Sequence, residues 1–121
     1  MSLELKSKLG SVEVTNDVIA NLTGGLVSQC PGVVGMASRQ QLKDGFAELL
    51  KKDNYSRGIV VRFDESDTLS IDVYIIVSYG SRISEVAHQI QSEVRQGIQV
   101  MLGVLVETIN VFVQGVRVEN E

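Results

Sequence analysis

A chain of 121 residues, 44% of them hydrophobic and 21% charged, is long enough for one domain with a single sizeable core. Its net charge of -4 argues against broad nucleic-acid binding, which depends on neutralising phosphates. One cysteine, Cys30, rules out an intrachain disulfide, and no stretch reaches the ~18 consecutive apolar residues of a spanning helix.

Met1 to Lys6 contains no apolar run of the secretory kind, so a cytoplasmic protein is expected. Residues 1–8 are mixed in character and are expected to be flexible. Gly10 to Val14 alternates and suits a short strand. Thr15 is placed to cap a helix, with Asp17 favourably charged in the first turn. Val18, Ile19, Leu22 and Leu26 recur at helical spacing, so residues 16–29 read as helix. Gly24 and Gly25 mark either a weak helix end or a close contact with another element. Cys30-Pro31-Gly32 stops the helix, because proline restricts the residue before it and glycine permits a tight turn. Val33 to Ala37 reads as a short strand. Residues 41–52 gather Leu42, Phe46, Leu49 and Leu50 on one side of a short amphipathic helix. Ile59 to Phe63 alternates as a strand. The polar turn at 64–67 joins it to the next strand as an antiparallel hairpin.

That next strand, Thr68 to Tyr79, is the longest alternating run. Leu69, Ile71, Val73, Ile75, Val77 and Tyr79 share one face; Ser70, Asp72, Tyr74, Ile76 and Ser78 share the other. Ile83 to Leu102 reads as a helix whose apolar stripe is Ile83, Val86, Ala87, Ile90, Val94, Ile98 and Met101. Gly97 lies on the apolar side, where a contact with Gly25 of the first helix is expected. Gly103 ends the helix, Val104 to Val113 forms a second long strand, and Gln114 to Glu121 follows as a tail. The order β-α-β-(short α)-β-β-α-β predicts an α+β two-layer sandwich, mainly antiparallel, with the two main helices on one sheet face. Residues 9–116 are expected to form this domain, with 117–121 as a C-terminal tail.

Catalytic patterns are weak. His88 falls on the polar side of its helix, with no second His or Cys nearby in sequence, so neither a metal site nor a Ser-His-Asp arrangement gains support. Cys30 sits at a helix C-terminal end without a cationic neighbour, which is a packing position rather than a reactive one. Asp64, Glu65 and Asp67 crowd a turn without EF-hand spacing. Gly32-Val33-Val34-Gly35 has the spacing of a KH clamp, but its middle residues are apolar and a strand follows. No Walker or dinucleotide-binding glycine pattern occurs. No catalytic residue, cofactor or metal is expected.

Two surfaces stand out. Residues 39–62 hold six basic residues (Arg39, Lys43, Lys51, Lys52, Arg57, Arg62) against three acids, beside Phe46 and Leu49-Leu50. Such an element either packs its apolar side on the sheet or docks on an anionic surface or a partner. A small anionic ligand or RNA could use the same cations. The second surface is the polar face of the long strand. Asp72 within it is expected beside Thr108 or Asn110, with Tyr74 and Ile76 at the centre of a protein contact. Tyr74, Ile76, Asp72, Phe46, Lys51, Lys52 and Arg57 are the candidate partner-binding residues.

An ordered set of segments resembles one family: Val18-Ile19-Ala20 after Thr15, Cys30 to Met36, Asp44 to Leu50, Ile71 to Gly80, Ile83 to Ala87, and Asn110 to Val116. Together they are similar to the alkaline shock protein family, with its YloU-like members in Gram-positive bacteria, across nearly the whole chain. The chain departs from it in having Asn16 and Ser84 where members often carry proline, a residue suited to a helix first turn. The resemblance implies a non-catalytic cytoplasmic protein linked to cell-envelope homeostasis or stress. It further implies self-association and docking on a membrane-anchored partner. It supplies no catalytic residues.

Overall fold

The computed structural model describes residues 2–38, 57–64 and 68–118. The elements are β1 (Ser2–Ser7), β2 (Gly10–Thr15), α1 (Asn16–Ser28), β3 (Val33–Met36), β4 (Ile59–Phe63), β5 (Leu69–Ser78), α2 (Ile83–Leu102) and β6 (Val106–Arg117). The helix expected over 41–52, and with it Phe46, Lys51 and Lys52, lies outside the described residues.

β5 is the strand on which the sheet is built, because it is bonded along both edges. On one edge two short strands lie end to end. β4 pairs antiparallel with the first half, from Phe63↔Leu69 to Ile59↔Val73, and β3 pairs antiparallel with the second half, Val33 to Met36 against Val77 to Ile75. Along the other edge β6 runs parallel to β5 for its whole length. A parallel pair needs a crossover, and α2 supplies it. The sheet is therefore antiparallel on one side of β5 and parallel on the other.

Both helices cover one face. Leu69, Ile71, Val73, Ile75 and Val77 of β5 are buried there against Ile19 and Val27 of α1 and Val86, Ile90, Val94 and Ile98 of α2. These are the two apolar stripes read from the sequence, brought together as an α+β two-layer sandwich. Thr15 caps α1 by accepting a hydrogen bond from the Val18 N–H at 3.4 Å. Gly103, at φ 72°, closes α2 through its N–H to the Gln99 carbonyl at 2.8 Å.

Several expectations are corrected. The N-terminal segment expected to be flexible is strand β1, hairpinned with β2, and its Leu3 joins the core with Val14. β6 starts at Val106, two residues later than expected, and continues into the expected tail as far as Arg117, with Gly115 to Arg117 paired to Ile76 to Ser78. Register shifts near Glu107 and Gln114 allow this, each placing an extra residue opposite β5. The helices do meet at Gly97, but not at Gly25. A Cβ on Gly97 would stand 2.5 Å from Leu26, whereas Gly25 faces open space. Tyr79, read as the end of the buried face, is 75% exposed because Gly80 turns the chain away at positive φ. Ile83 and Met101, at the two ends of the α2 stripe, are also exposed.

Candidate functional site

The second face of the sheet, away from the helices, holds the polar residues of β5. Asp72 pairs in register with Asn110 of β6, so their side chains stand side by side. Asn110 Nδ2 donates to Asp72 Oδ1 at 2.9 Å, and Arg62 Nη2 of β4 reaches the same oxygen at 2.7 Å. One carboxylate thus ties three adjacent strands. Asp72 retains 14% of its side-chain exposure and Arg62 retains 52%, so water screens the pair and its worth is small. Replacing Asp72 with alanine is expected to lower stability by about 1 kcal/mol. A double-mutant cycle with Arg62→Ala in urea melts should give a coupling below about 1 kcal/mol.

Two residues along both strands, Tyr74 and Phe112 stack with ring centroids 4.9 Å apart and planes 15° from parallel. Tyr74 is half-buried and Phe112 is 39% exposed, so the pair forms a rigid apolar platform still open to water. Ile76, expected at the centre of the surface, is only 4% exposed. It lies in a ladder row between Gly35 and Gly115. Its side chain is in van der Waals reach of the Cβ position of Gly115, at 3.7 Å. Ile76 is therefore withdrawn from solvent, and the stacked pair on this face is Tyr74 and Phe112.

Arg57 is exposed in the short turn just before β4. Arg62, counted among the cations of the basic segment, is engaged by Asp72. Asp72 and Tyr74 thus come together on one face with Arg62, Asn110 and Phe112. Phe112 went unsingled in the sequence because its role depends on the β5–β6 register, although an aromatic residue in an alternating strand was a usable signal.

A shallow groove of about 740 Å³ runs between α2 and the outer edge of β6, lined among others by His88, Gln91, Ser92, Arg95 and Glu107. Its principal polar groups are turned to the backbone. Gln91 Nε2 donates to the Ile109 carbonyl at 3.0 Å, and Arg95 Nη2 to those of Val106 and Glu107 at 3.1 and 3.0 Å. Among the described residues no hydrogen bond joins His88 to Ser92, and no group of three or more His, Cys, Asp or Glu is placed to hold a metal ion. Cys30 is buried and donates to the Leu26 carbonyl at 3.5 Å. Burial, and secondarily the Glu93 carboxylate, raises its pKa above the ordinary thiol value, which keeps it a protonated packing group.

Residues 4–118 match the alkaline shock protein 23 family, described as having a cell envelope-related function. The chain is 50% identical over 120 residues to YloU of Bacillus subtilis (strain 168), covering 99% of both chains. It is 41% identical over 121 residues to the uncharacterized protein Spy1614 of Streptococcus pyogenes serotype M6, covering 100% of this chain and 99% of that one. It is 31% identical over 113 residues to YqhY of Bacillus subtilis (strain 168), covering 93% of this chain and 82% of the relative. With this family match spanning β1 to β6 and relatives at up to 50% identity over nearly the full chain, the chain belongs to the alkaline shock protein 23 family, with its cell envelope-related function.

Proposed function

We propose that the chain is a non-catalytic interaction protein that works at the cell envelope by docking on a membrane-anchored partner and by self-association. The observation that carries this reading is the Tyr74–Phe112 platform on the sheet face opposite both helices, flanked by the Arg62–Asp72–Asn110 cluster. A rigid aromatic pair beside a satisfied polar cluster is the composition of a protein contact: an anchor that loses little entropy, and a rim that needs no rearrangement. Among the described residues no helix is long and apolar enough to cross a membrane. Membrane proximity is then a matter of partner choice. The basic residues Lys51, Lys52 and Arg57 complement an acidic contact on that partner.

The test is affinity purification of the tagged chain from its own cells. A membrane-anchored envelope protein is expected to co-purify with the native chain. Tyr74→Ala and the charge-reversed Lys51→Glu/Lys52→Glu chain are each expected to lose most of it while keeping the native circular dichroism spectrum. A native chain that retains no envelope protein and sediments as a monomer at every concentration would sink the proposal.

A further inference from the structure

Among the described strands β1 and β2 pair only with each other, as a hairpin separate from the sheet built on β5. Burial falls off steadily along it. At its base Leu3 and Val14, opposite each other in register, belong to the core. Two residues further out on the same face, Leu5 is half-buried and its partner Val12 is 58% exposed. The hairpin then closes between Ser7 and Gly10 over two residues, Lys8 and Leu9, with the Leu9 N–H donating to Ser7 Oγ at 3.2 Å. Leu9, at the apex, is wholly exposed. Turns are built from glycine, proline and small polar residues, so the turn itself has no use for a leucine there. The apolar side of the hairpin thus runs on past the core that its base packs against.

The charges of the hairpin are sorted in the same direction. Lys6 and Lys8 lie in its outer half, whereas Glu4 and Glu13 face each other toward the base. Among the described residues neither lysine is held in an ion pair. A strand rises about 3.3 Å per residue, so the two glutamates stand roughly 13 Å behind the apex. That is farther than the ~8 Å over which an exposed charge is felt at physiological salt. We propose that the tip of the β1–β2 hairpin is a contact for an anionic lipid surface, with Leu9 entering the headgroup layer and the Lys6 and Lys8 ammonium groups on lipid phosphates. This goes beyond the docking on a protein partner and does not depend on it.

Shape and charge favour a lipid surface over a protein one. A stable protein contact draws on about 20–30 complementary residues a side. The tip offers a convex apex of one leucine, with Val12 behind it and a lysine on either strand side of the turn. A fluid headgroup layer yields to such an apex without a matching pocket, and lysine stems reach along it while their ammonium groups stay at the phosphates. Orientation follows from the remainder of the chain. Glu4, Lys6, Lys8 and Glu13 cancel, so residues 16–121 carry the whole net charge of -4. An anionic surface repels that body and attracts the tip. One leucine and two lysines make a weak, reversible contact, as single membrane signals do. It adds most where a partner already holds the chain near the bilayer, because the second contact then forms at high effective concentration.

The chain has no tryptophan, so Leu9→Trp places a single reporter at the apex. At low salt, vesicles of phosphatidylcholine with phosphatidylglycerol are expected to move its emission to shorter wavelength. Val100→Trp, at an exposed site on α2, should not respond. Tryptophan itself favours interfaces, so co-sedimentation of the native chain with the same vesicles is the second measurement. Leu9→Ser should weaken that binding roughly tenfold, and Lys6→Gln or Lys8→Gln about fivefold each, all with the native melting temperature. Equal binding to phosphatidylcholine alone, an equal response from Val100→Trp, or no co-sedimentation of the native chain at low salt overturns the proposal. If the vesicles retain nothing while Leu9→Ser releases the envelope partner in affinity purification, the tip is a protein contact instead. The vesicles contain no protein, so failure on them leaves the partner docking standing, and loss of the partner leaves the lipid contact standing.

Discussion

Ile75→Ala is expected to destabilise the fold by about 3–4 kcal/mol, a cost in the range for emptying a fully buried branched site. Ile75 is 0% exposed and stands in register with Met36 on one side and Val113 on the other. Its side chain lies where three strands and the helix layer meet, so neighbouring side chains have little room to collapse into the space. For a domain of this size the melting temperature should fall by roughly 10–20 °C. Urea unfolding followed by circular dichroism checks it: the midpoint should drop with little change in slope. An effect below about 1 kcal/mol would mean that β5 is not the packed centre. Ile76→Ala separates the two faces of the strand. If Ile76 packs rather than binds, that change lowers stability without altering partner capture beyond the loss of folded protein.

Gly32→Ala is expected to cost about 2–4 kcal/mol from two independent sources. Gly32 has φ 91°, where a side chain is strained, and a Cβ there would stand 2.7 Å from Val86 Cγ2 and 3.3 Å from Ser81 Oγ. Its carbonyl also accepts the Ser78 N–H at 3.0 Å, fixing the end of β5 beside the start of β3. Val86→Ala removes the steric part but not the backbone part. In the double mutant the two costs should add to less than their sum, with a coupling of about 1 kcal/mol measured by urea unfolding. Strict additivity would show that backbone strain alone accounts for the change.

Much of this was legible in the residues. The α2 stripe repeats over five turns, so its limits Ile83 and Leu102 were readable. Asp72 inside a strand required a polar neighbour, which pointed to Thr108 or Asn110, and the register selects Asn110. β1 carries the same kind of signal, with Leu3 and Leu5 alternating against Glu4 and Lys6, but it is brief and its partner is a strand just as short. Gly115 was read as part of a tail beyond a strand ending at Val113. In fact it is the small residue opposite Ile76, just past a bulge, and glycine within an alternating run is a sign of such irregularity. The burial of Ile76 and the capping of β6 by Gln91 and Arg95 depend on which elements become neighbours. Local periodicity carries no record of that. The same limit explains why Gly97 meets Leu26 rather than Gly25: two helices known only by their stripes leave the crossing point undetermined.

The end-to-end placement of β3 and β4 on one side of β5 has a bearing on what the connection between them costs. The chain leaves that edge after Met36 and rejoins it at Ile59, and neither strand depends on the other for its alignment, since each is keyed to its own half of β5. Closing a longer connection costs only about 0.6 kcal/mol per doubling of its length. By chain closure alone, a longer connection between those two strands would therefore cost the framework little.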